Sequence, residues 1–165
     1  MYSQIDAIKK LGFTGFKTIK HLWNDYRVVP DVEGVYVVLN PDCIKKSLLS
    51  KGVGGFFKGR DPNVPVSDLS KRWVENCHVL YFGKAGGGPE NKSTLRSRLK
   101  LYLDFGKGKP VGHSGGRYIW QLSHHPELIV AWKETPEDDP RKIEGQLIKE
   151  FEDFYGKLPF ANIVR

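Results

Sequence analysis

The sequence predicts a single domain of mixed α/β (α+β) class, in which three strands are combined with several helices. Three runs of apolar and β-branched residues, at 34–39, 78–82 and 128–132, have the length and composition of buried strands. Two other segments carry apolar residues at every third or fourth position, the spacing of a helix that packs against a core. A chain of 165 residues is long enough to form one such core.

The first part of the chain predicts two short helices, at 4–11 and at about 16–26. A turn at 12–15, which contains two glycines, separates them. We interpret residues 1–27 as a helical extension that precedes the strand at 34–39.

Two stretches, 41–75 and 104–117, are predicted to be insertions into a domain that spans 1–165. The first separates two predicted strands and contains several glycines and prolines, and the second is also rich in glycine. Long segments without regular structure are uncommon in compact domains unless they have a function or are mobile. We therefore expect both insertions to be exposed and available for recognition.

The helix that follows the second strand begins after Ser93 or Thr94, either of which can cap it, and its leucines lie on one side. Arg98 and Tyr102 are four residues apart, so they share a face beside those leucines. A guanidinium beside a cleft suits a phosphate, because it is planar, permanently charged and able to bind two oxygens. Arg96 borders the leucines on the other side, and spacing alone does not decide between the two arginines.

The last helix is marked at its ends by Asp139, in the cap position, and Gly156, after the final turn. Its core-facing stripe consists of Ile143, Leu147, Phe151, Phe154 and Tyr155. Glu144 lies within this stripe, and burial of an unpaired carboxylate costs several kcal/mol. Two interpretations remain open: a salt bridge to an arginine of a neighbouring element, or a metal ligand or acid–base group in a cleft.

Positive charge is concentrated in the first four fifths of the chain. Residues 1–133 contain 21 Lys and Arg against 11 Asp and Glu, a net charge of +10, whereas residues 134–165 have a net charge of −3. Lysine and arginine neutralise phosphates and release their counterions, so this distribution suits a polyanionic partner. A solvated basic surface is the alternative interpretation.

Several classes of protein and site are excluded by the sequence. No apolar run reaches about 18 residues and the N-terminus lacks the apolar stretch of a secretory signal, so we expect a cytoplasmic protein without membrane contact. The two cysteines, Cys43 and Cys77, form neither a disulfide framework nor a Cys-x-x-Cys zinc motif. The glycine-rich segment 83–88 continues with Pro89 and Glu90 where a phosphate-binding loop needs Lys and Ser or Thr, so no nucleotide cofactor is expected.

Together these features resemble the GIY-YIG nuclease superfamily over about residues 28–165. Residues 34–36 (GVY) are similar to the first motif of the family, and residues 81–85 (YFGKA) are similar to the second. The resemblance implies a small, mainly antiparallel three-stranded sheet flanked by helices, with long insertions. The two motifs usually lie close together on a hairpin, whereas 45 positions separate Tyr36 from Tyr81 here.

Positions outside the strands also match the family. The segment 95–99 resembles the helix that carries its arginine, which aligns best with Arg98. Glu144 matches the metal-binding glutamate, and the C-terminal segment resembles an element that carries an asparagine, here Asn162. Some members have a histidine four residues after the arginine, but this chain has Tyr102, so the identity of the general base stays open.

The resemblance implies hydrolysis of DNA phosphodiester bonds by a one-metal mechanism. Glu144 would bind Mg²⁺ or Mn²⁺, Arg98 would stabilise charge on the phosphate, and Tyr36 would orient or deprotonate the attacking water. To act as a base, Tyr36 needs a pKa lowered by nearby cations, for which Lys84 and the metal are the candidates. The other implied catalytic residues are Tyr81, for the water or phosphate, Tyr102, and Asn162, for the glutamate or substrate.

The implied partner is DNA, duplex or branched, and a homodimer is one way in which a single site per chain could cut both strands. The residues expected to bind DNA are Lys84, Lys92, Arg96, His113 and Arg117. Two alternatives remain. One is a catalytically inactive nucleic-acid-binding module of the same fold, and the other is an interaction domain, which makes no demand on Glu144.

Overall fold

The computed structural model describes residues 5–112 and 115–163, and it confirms an α+β fold with an antiparallel sheet flanked by helices. The sheet has four strands, so the predicted number of three was wrong. The strands are β1 (Thr14–Thr18), β2 (Gly34–Leu39), β3 (Val79–Ala85) and β4 (Ile129–Glu134). The helices are α1 (Ile5–Lys10), α2 (Ile19–Asn24), α3 (Val66–Arg72), α4 (Leu95–Phe105) and α5 (Pro140–Tyr155).

The additional strand, β1, occupies the start of the segment that was predicted to be a helix at about 16–26. Its backbone is irregular, because Gly15 and Phe16 have positive φ angles of 93° and 54° and the register with β4 shifts along the strand. Gly15 is required there, since a Cβ atom would lie 2.5 Å from the Trp132 ring. Such a strand lacks the regular alternation by which strands are predicted, and the helix α2 begins only after it.

The strand β2 lies inside the sheet, whose order is β1-β4-β2-β3. All six of its residues are buried, and Tyr36 pairs with Gly83 of β3 and with Trp132 of β4. Side chains alternate between two cores: Tyr36 and Val38 contribute to the core beside α2 and α4, and the intervening residues contribute to the core beside α1 and α5. Tyr36 is thereby held between the sheet and α4.

The two long helices begin where their cap residues predict. The side chains of Thr94 and Asp139 accept hydrogen bonds from backbone N–H groups of the first turns of α4 and α5, at 3.1 and 2.9 Å. Phe154 is 65% exposed, so its predicted place in the core-facing stripe of α5 was wrong. The buried stripe is narrower than predicted and centres on Leu147, Ile148 and Phe151. Within the described ranges, no helix combines the length and the apolar character that a bilayer crossing requires.

The side chain of one buried residue, Gln121, forms hydrogen bonds that connect the segment between β2 and β3 to the segment that follows α4. The Gln121 amide nitrogen donates hydrogen bonds to the carbonyls of Leu49 and Val64, at 3.0 and 2.9 Å. The Gln121 side-chain oxygen accepts a hydrogen bond from the Val64 N–H at 3.0 Å. Because Gln121 is only 1% exposed, these bonds are shielded from water and hold the two segments together.

Candidate functional site

A pocket of about 250 Å³ lies between β3, α4, α5 and the loop that precedes α4. We call it the polar pocket, and its lining residues are Tyr81, Lys84, Asn91, Ser93, Arg98 and Glu144. Four of them were singled out from the sequence: Tyr81, Lys84, Arg98 and Glu144. The fold therefore brings together a phenol, two cations and a carboxylate from three separate elements.

Glu144 lies in the first half of α5 and is half-buried at the polar pocket. Burial raises the pKa of its carboxyl, and the nearby positive charges of Lys84 and Arg98 offset part of that rise. Among the described residues no Lys, Arg or His forms a salt bridge with it. Of the two interpretations of this carboxylate, the structure favours a group that faces a cleft over a permanent salt bridge.

Three tyrosines pack together beside the polar pocket. The ring centroids of Tyr36 and Tyr81 are 5.9 Å apart, and those of Tyr81 and Tyr102 are 6.1 Å apart with nearly parallel planes. The Tyr102 hydroxyl donates a hydrogen bond to the Gly116 carbonyl at 2.8 Å, so it is already engaged. Tyr81 is the only one of the three that lines the polar pocket.

The Tyr36 side chain lies behind Tyr81 and is fully buried. Tyr81 and Arg98 are its hydrogen-bonding neighbours, but neither contact has the alignment of a full hydrogen bond. Burial raises the pKa of Tyr36 to about 12, and the Arg98 charge offsets the rise only in part. The cation that acts most strongly on Tyr36 is therefore Arg98 and not Lys84, and the hydroxyl stays protonated at neutral pH.

Gly83 provides the space that Tyr36 occupies. The two residues are paired across β2 and β3, and a Cβ atom at position 83 would lie 2.5 Å from the Tyr36 hydroxyl oxygen. Any larger residue would displace the ring. The glycine of the second motif is therefore explained by packing beneath the polar pocket.

Asn162 covers the outer edge of β3. Its side-chain oxygen accepts a hydrogen bond from the Phe82 N–H at 3.0 Å, and its amide nitrogen donates one to the Phe82 carbonyl at 2.9 Å. The resemblance implied contact with the glutamate or the substrate, whereas the structure shows a side chain that satisfies both backbone groups of an edge-strand residue. Asn162 thus holds the backbone between Tyr81 and Gly83 and positions the site.

Replacing Asn162 with Ala is expected to lower the free energy of unfolding by about 2–6 kcal/mol. The change leaves a buried N–H and a buried C=O of Phe82 unsatisfied, at about 1–3 kcal/mol each. Urea denaturation followed by circular dichroism measures the loss. Asn24→Ala is the matched control, because the Asn24 amide makes one exposed hydrogen bond to Lys20. Equal stabilities for the two variants would show that the β3 contact is not important.

The remaining predicted residues are distributed around the site. The Arg96 side chain donates hydrogen bonds to the carbonyls of Val29 and Arg27, at 2.9 and 3.1 Å, so it fixes the chain before β2 while Arg98 faces the polar pocket. Lys92 is exposed on the loop that borders the pocket. Arg117 lines a different cavity. His113 lies outside the described residues.

Two residues of the polar pocket, Asn91 and Ser93, were not predicted from the sequence. The Ser93 hydroxyl donates to the Asn91 side-chain oxygen at 2.7 Å and accepts from the Gly86 N–H at 2.9 Å. The Asn91 amide donates to the Gly86 carbonyl at 3.1 Å. These bonds fold the glycine-rich loop over the pocket. The sequence offered one indication of their role, two polar residues just before a helix cap, but such residues are common in ordinary loops.

The donor set of the polar pocket fits a divalent cation that retains most of its water. The described residues contain no cluster of three or more His, Cys, Asp and Glu side chains suited to a metal ion. Glu144 is nevertheless a half-buried carboxylate without a salt bridge in the described structure, and Tyr81 and Ser93 line the same pocket. Magnesium usually keeps several waters and binds through one or two carboxylates together with substrate phosphates, so Glu144 would hold it beside a bound phosphate.

The raised pKa of Glu144 has a consequence for stability. Because folding favours the protonated carboxyl, the associated stabilisation is present at low pH and is lost as the pH rises through the folded-state pKa. Glu144→Gln removes this titration. We expect the free energy of unfolding of the Gln variant, relative to the wild type without metal, to increase from about pH 4 to about pH 7. Urea titrations at several pH values measure the difference, and a constant or falling difference would contradict the burial of this carboxylate.

Comparisons of the chain with protein-family models, curated proteins and solved structures found no match.

Proposed function

We propose that this chain is a divalent-metal-dependent endonuclease, similar to the GIY-YIG nucleases, which hydrolyses DNA phosphodiester bonds at the polar pocket. The observation that carries the proposal is the Glu144 carboxylate, half-buried without a salt bridge in the described structure, in the same pocket as Arg98, Lys84 and Tyr81. Two cations against one carboxylate give this pocket a net positive charge. A phosphodiester is the substrate that such a pocket suits.

Arg98 and Lys84 would bind the scissile phosphate from two sides of the polar pocket. Arg98 extends from α4 to the lining of the polar pocket, where it also contacts the buried Tyr36 hydroxyl. Negative charge grows on the non-bridging oxygens during attack, and fixed cations stabilise it most when water is excluded. Lys84, near the end of β3, adds a second charge that also favours the ionised form of Glu144 and so offsets part of the effect of burial.

Tyr81 is the phenol that can contact the attacking water, because it lines the polar pocket and Tyr36 does not. Burial and the neighbouring Tyr36 raise the pKa of Tyr81 well above its ordinary value, so Tyr81 orients water as a neutral hydroxyl. Tyr36 supports Tyr81 through the contact between the two hydroxyls, which lacks the alignment of a full hydrogen bond in the described structure. We therefore favour orientation of the water by these phenols over its deprotonation by a phenolate.

Glu144 would hold the divalent ion, Mg²⁺ or Mn²⁺, together with water molecules. When bound there, such an ion supplies charge neutralisation at the phosphate and at the leaving oxygen. Asn162 and Gly83 contribute by positioning, since both fix the geometry of β3 beside Tyr36. The basic part of the chain, residues 1–133, would attract the DNA.

The test is conversion of supercoiled plasmid to nicked or linear DNA with Mg²⁺ and, in parallel, with EDTA. We expect cleavage only with the metal. Cleavage at an equal rate in EDTA, or no cleavage under any metal condition, would reject the proposal. Retarded migration of DNA without any cleavage would support the alternative of an inactive nucleic-acid-binding module.

A further inference from the structure

A second pocket, of about 390 Å³, lies where the two segments predicted as insertions meet. We call it the aromatic pocket, and the side chains that define it are Phe57, Arg60, Asp61, Phe105 and Arg117. Its volume falls within the range of about 300–1,000 Å³ that is usual for small-molecule sites. It belongs to none of the contacts assigned above to catalysis.

The aromatic pocket combines a ring, positive charge and a hydrogen-bond acceptor. Phe57 is 37% exposed and its neighbour Phe56 is 46% exposed, which places two adjacent large apolar side chains at the surface. The Lys58 ammonium lies 5.3 Å from the centre of the Phe57 ring. Exposed rings interleaved with cations are typical of surfaces on which unpaired nucleobases stack.

Asp61 provides the acceptor. One of its carboxylate oxygens accepts hydrogen bonds from the backbone and side-chain amides of Asn63, at 2.9 and 2.8 Å. Its other oxygen has no hydrogen bond to a described residue, so it is available to the exocyclic amino group of a base. The two positive charges of Arg60 and Arg117 exceed the single negative charge of Asp61. The pocket therefore suits a ligand in which a ring is attached to an anion.

The aromatic pocket lies close to the polar pocket. Arg98 and Phe105 are seven residues apart on α4, so they share one face of the helix at a separation of about 10 Å along its axis. Gly112 lines the aromatic pocket, and a Cβ atom at Gly115 would lie 2.8 Å from the Tyr81 hydroxyl. Since a stacked nucleic-acid strand advances about 3.4 Å per nucleotide and an unstacked one advances farther, at most about three nucleotides span this distance.

The aromatic pocket is also held in place relative to the polar pocket. The Gly55 N–H donates a hydrogen bond to the Phe105 carbonyl at 2.9 Å, which attaches the first insertion to the end of α4. Gln121 fastens the same insertion at Leu49 and Val64. A ligand bound in the aromatic pocket would therefore have a fixed position relative to Arg98.

We propose that the aromatic pocket binds one unstacked nucleobase of the DNA strand, within about three nucleotides of the phosphate in the polar pocket. The inference rests on the proposed function for the identity of the polymer. Phe57 stacks on the base, Asp61 accepts a hydrogen bond from its amino group, and Arg60 and Arg117 bind the adjoining phosphates. The chain then prefers DNA in which a base is already unpaired, because no base pair has to be opened.

The experiment compares binding of two labelled duplexes of equal length, one fully paired and one with a single bulged nucleotide. Fluorescence anisotropy in EDTA measures binding without cleavage. We expect the wild type to bind the bulged duplex about tenfold more tightly, and Phe57→Ala to lose this preference, as is usual when a base loses its stacking partner. Phe154→Ala is the matched control, because that ring is exposed on α5, away from both pockets.

Equal affinity of the wild type for the two duplexes, or an unchanged preference in Phe57→Ala, would overturn the inference. Arg60→Gln provides a second test, since the exposed Arg60 side chain can be changed without disturbing the core. It should weaken binding of the bulged duplex, and unchanged binding would count against the pocket. Metal-dependent cleavage without a preference for the bulge would reject the pocket and leave the endonuclease. A preference for the bulge without cleavage would reject the endonuclease and leave the pocket.

Discussion

Replacing Glu144 with Gln is expected to lower the rate of metal-dependent DNA cleavage by at least about a thousandfold while the protein stays folded. The stabilisation that a bound metal ion gives to the reacting phosphate amounts to several kcal/mol, and about 1.4 kcal/mol corresponds to a factor of ten in rate. The Gln side chain keeps the shape of Glu144 and removes its charge. Single-turnover nicking of supercoiled plasmid with Mg²⁺ measures the effect.

Glu150→Gln serves as the control for this experiment. Glu150 lies on the same helix, accepts a hydrogen bond from Gln146 at the surface and does not line the polar pocket. The Glu150→Gln variant should cleave DNA at the wild-type rate. A folded Glu144→Gln protein that also cleaves at the wild-type rate would remove the metal-binding role of that residue.

Tyr36→Phe is expected to make the protein more stable and less active. The Tyr36 hydroxyl is fully buried, and its poorly aligned contacts with Tyr81 and Arg98 offset only part of the burial cost of about 1–3 kcal/mol. Its removal should raise the free energy of unfolding by about 1 kcal/mol. The rate should fall about a hundredfold, because Tyr81 loses the support that orients the attacking water. Chemical denaturation and plasmid nicking measure the two effects.

Tyr102→Phe is the comparison that separates this effect from a general change in packing. Its hydroxyl donates to the Gly116 carbonyl, so its removal should lower the free energy of unfolding by about 1 kcal/mol. The two variants delete the same atom from adjacent rings and should change stability in opposite directions. A loss of stability in Tyr36→Phe, or full activity in that variant, would contradict the role given to this hydroxyl.

The parts of the fold that follow from local rules could be predicted from the sequence. The strand β2 and the starts of α4 and α5 lie where a β-branched run and two cap residues placed them. The strand β1 could not be predicted, because it depends on positive φ angles at Gly15 and Phe16 and on packing against Trp132 of β4. Whether such a strand forms depends on residues that are distant in the chain, and local spacing carries no information about them.

The same division applies to the candidate site. Glu144 was identified because it is a carboxylate within an apolar stripe, where burial of an unpaired charge is unfavourable. Such a pattern can be recognised from the local sequence alone. The choice between Arg96 and Arg98 needed the structure, since only the contact of Arg96 with the chain before β2 shows that its side chain is already engaged. The depth of Tyr36 behind Tyr81 likewise depends on how β2, β3 and α4 pack. Spacing predicts which residues share a face, and tertiary packing decides which of them reach the surface.

Binding of a divalent ion at Glu144 underlies every catalytic role proposed for the polar pocket, and it can be measured without DNA. Isothermal titration with Mn²⁺ compares the wild type and Glu144→Gln under identical conditions, both in excess dimethyl phosphate, which supplies the phosphodiester ligand. We predict one binding site per chain in the wild type and none in the Gln variant. A site of equal affinity in both proteins, or no site in either, would contradict the proposal that this carboxylate holds the metal.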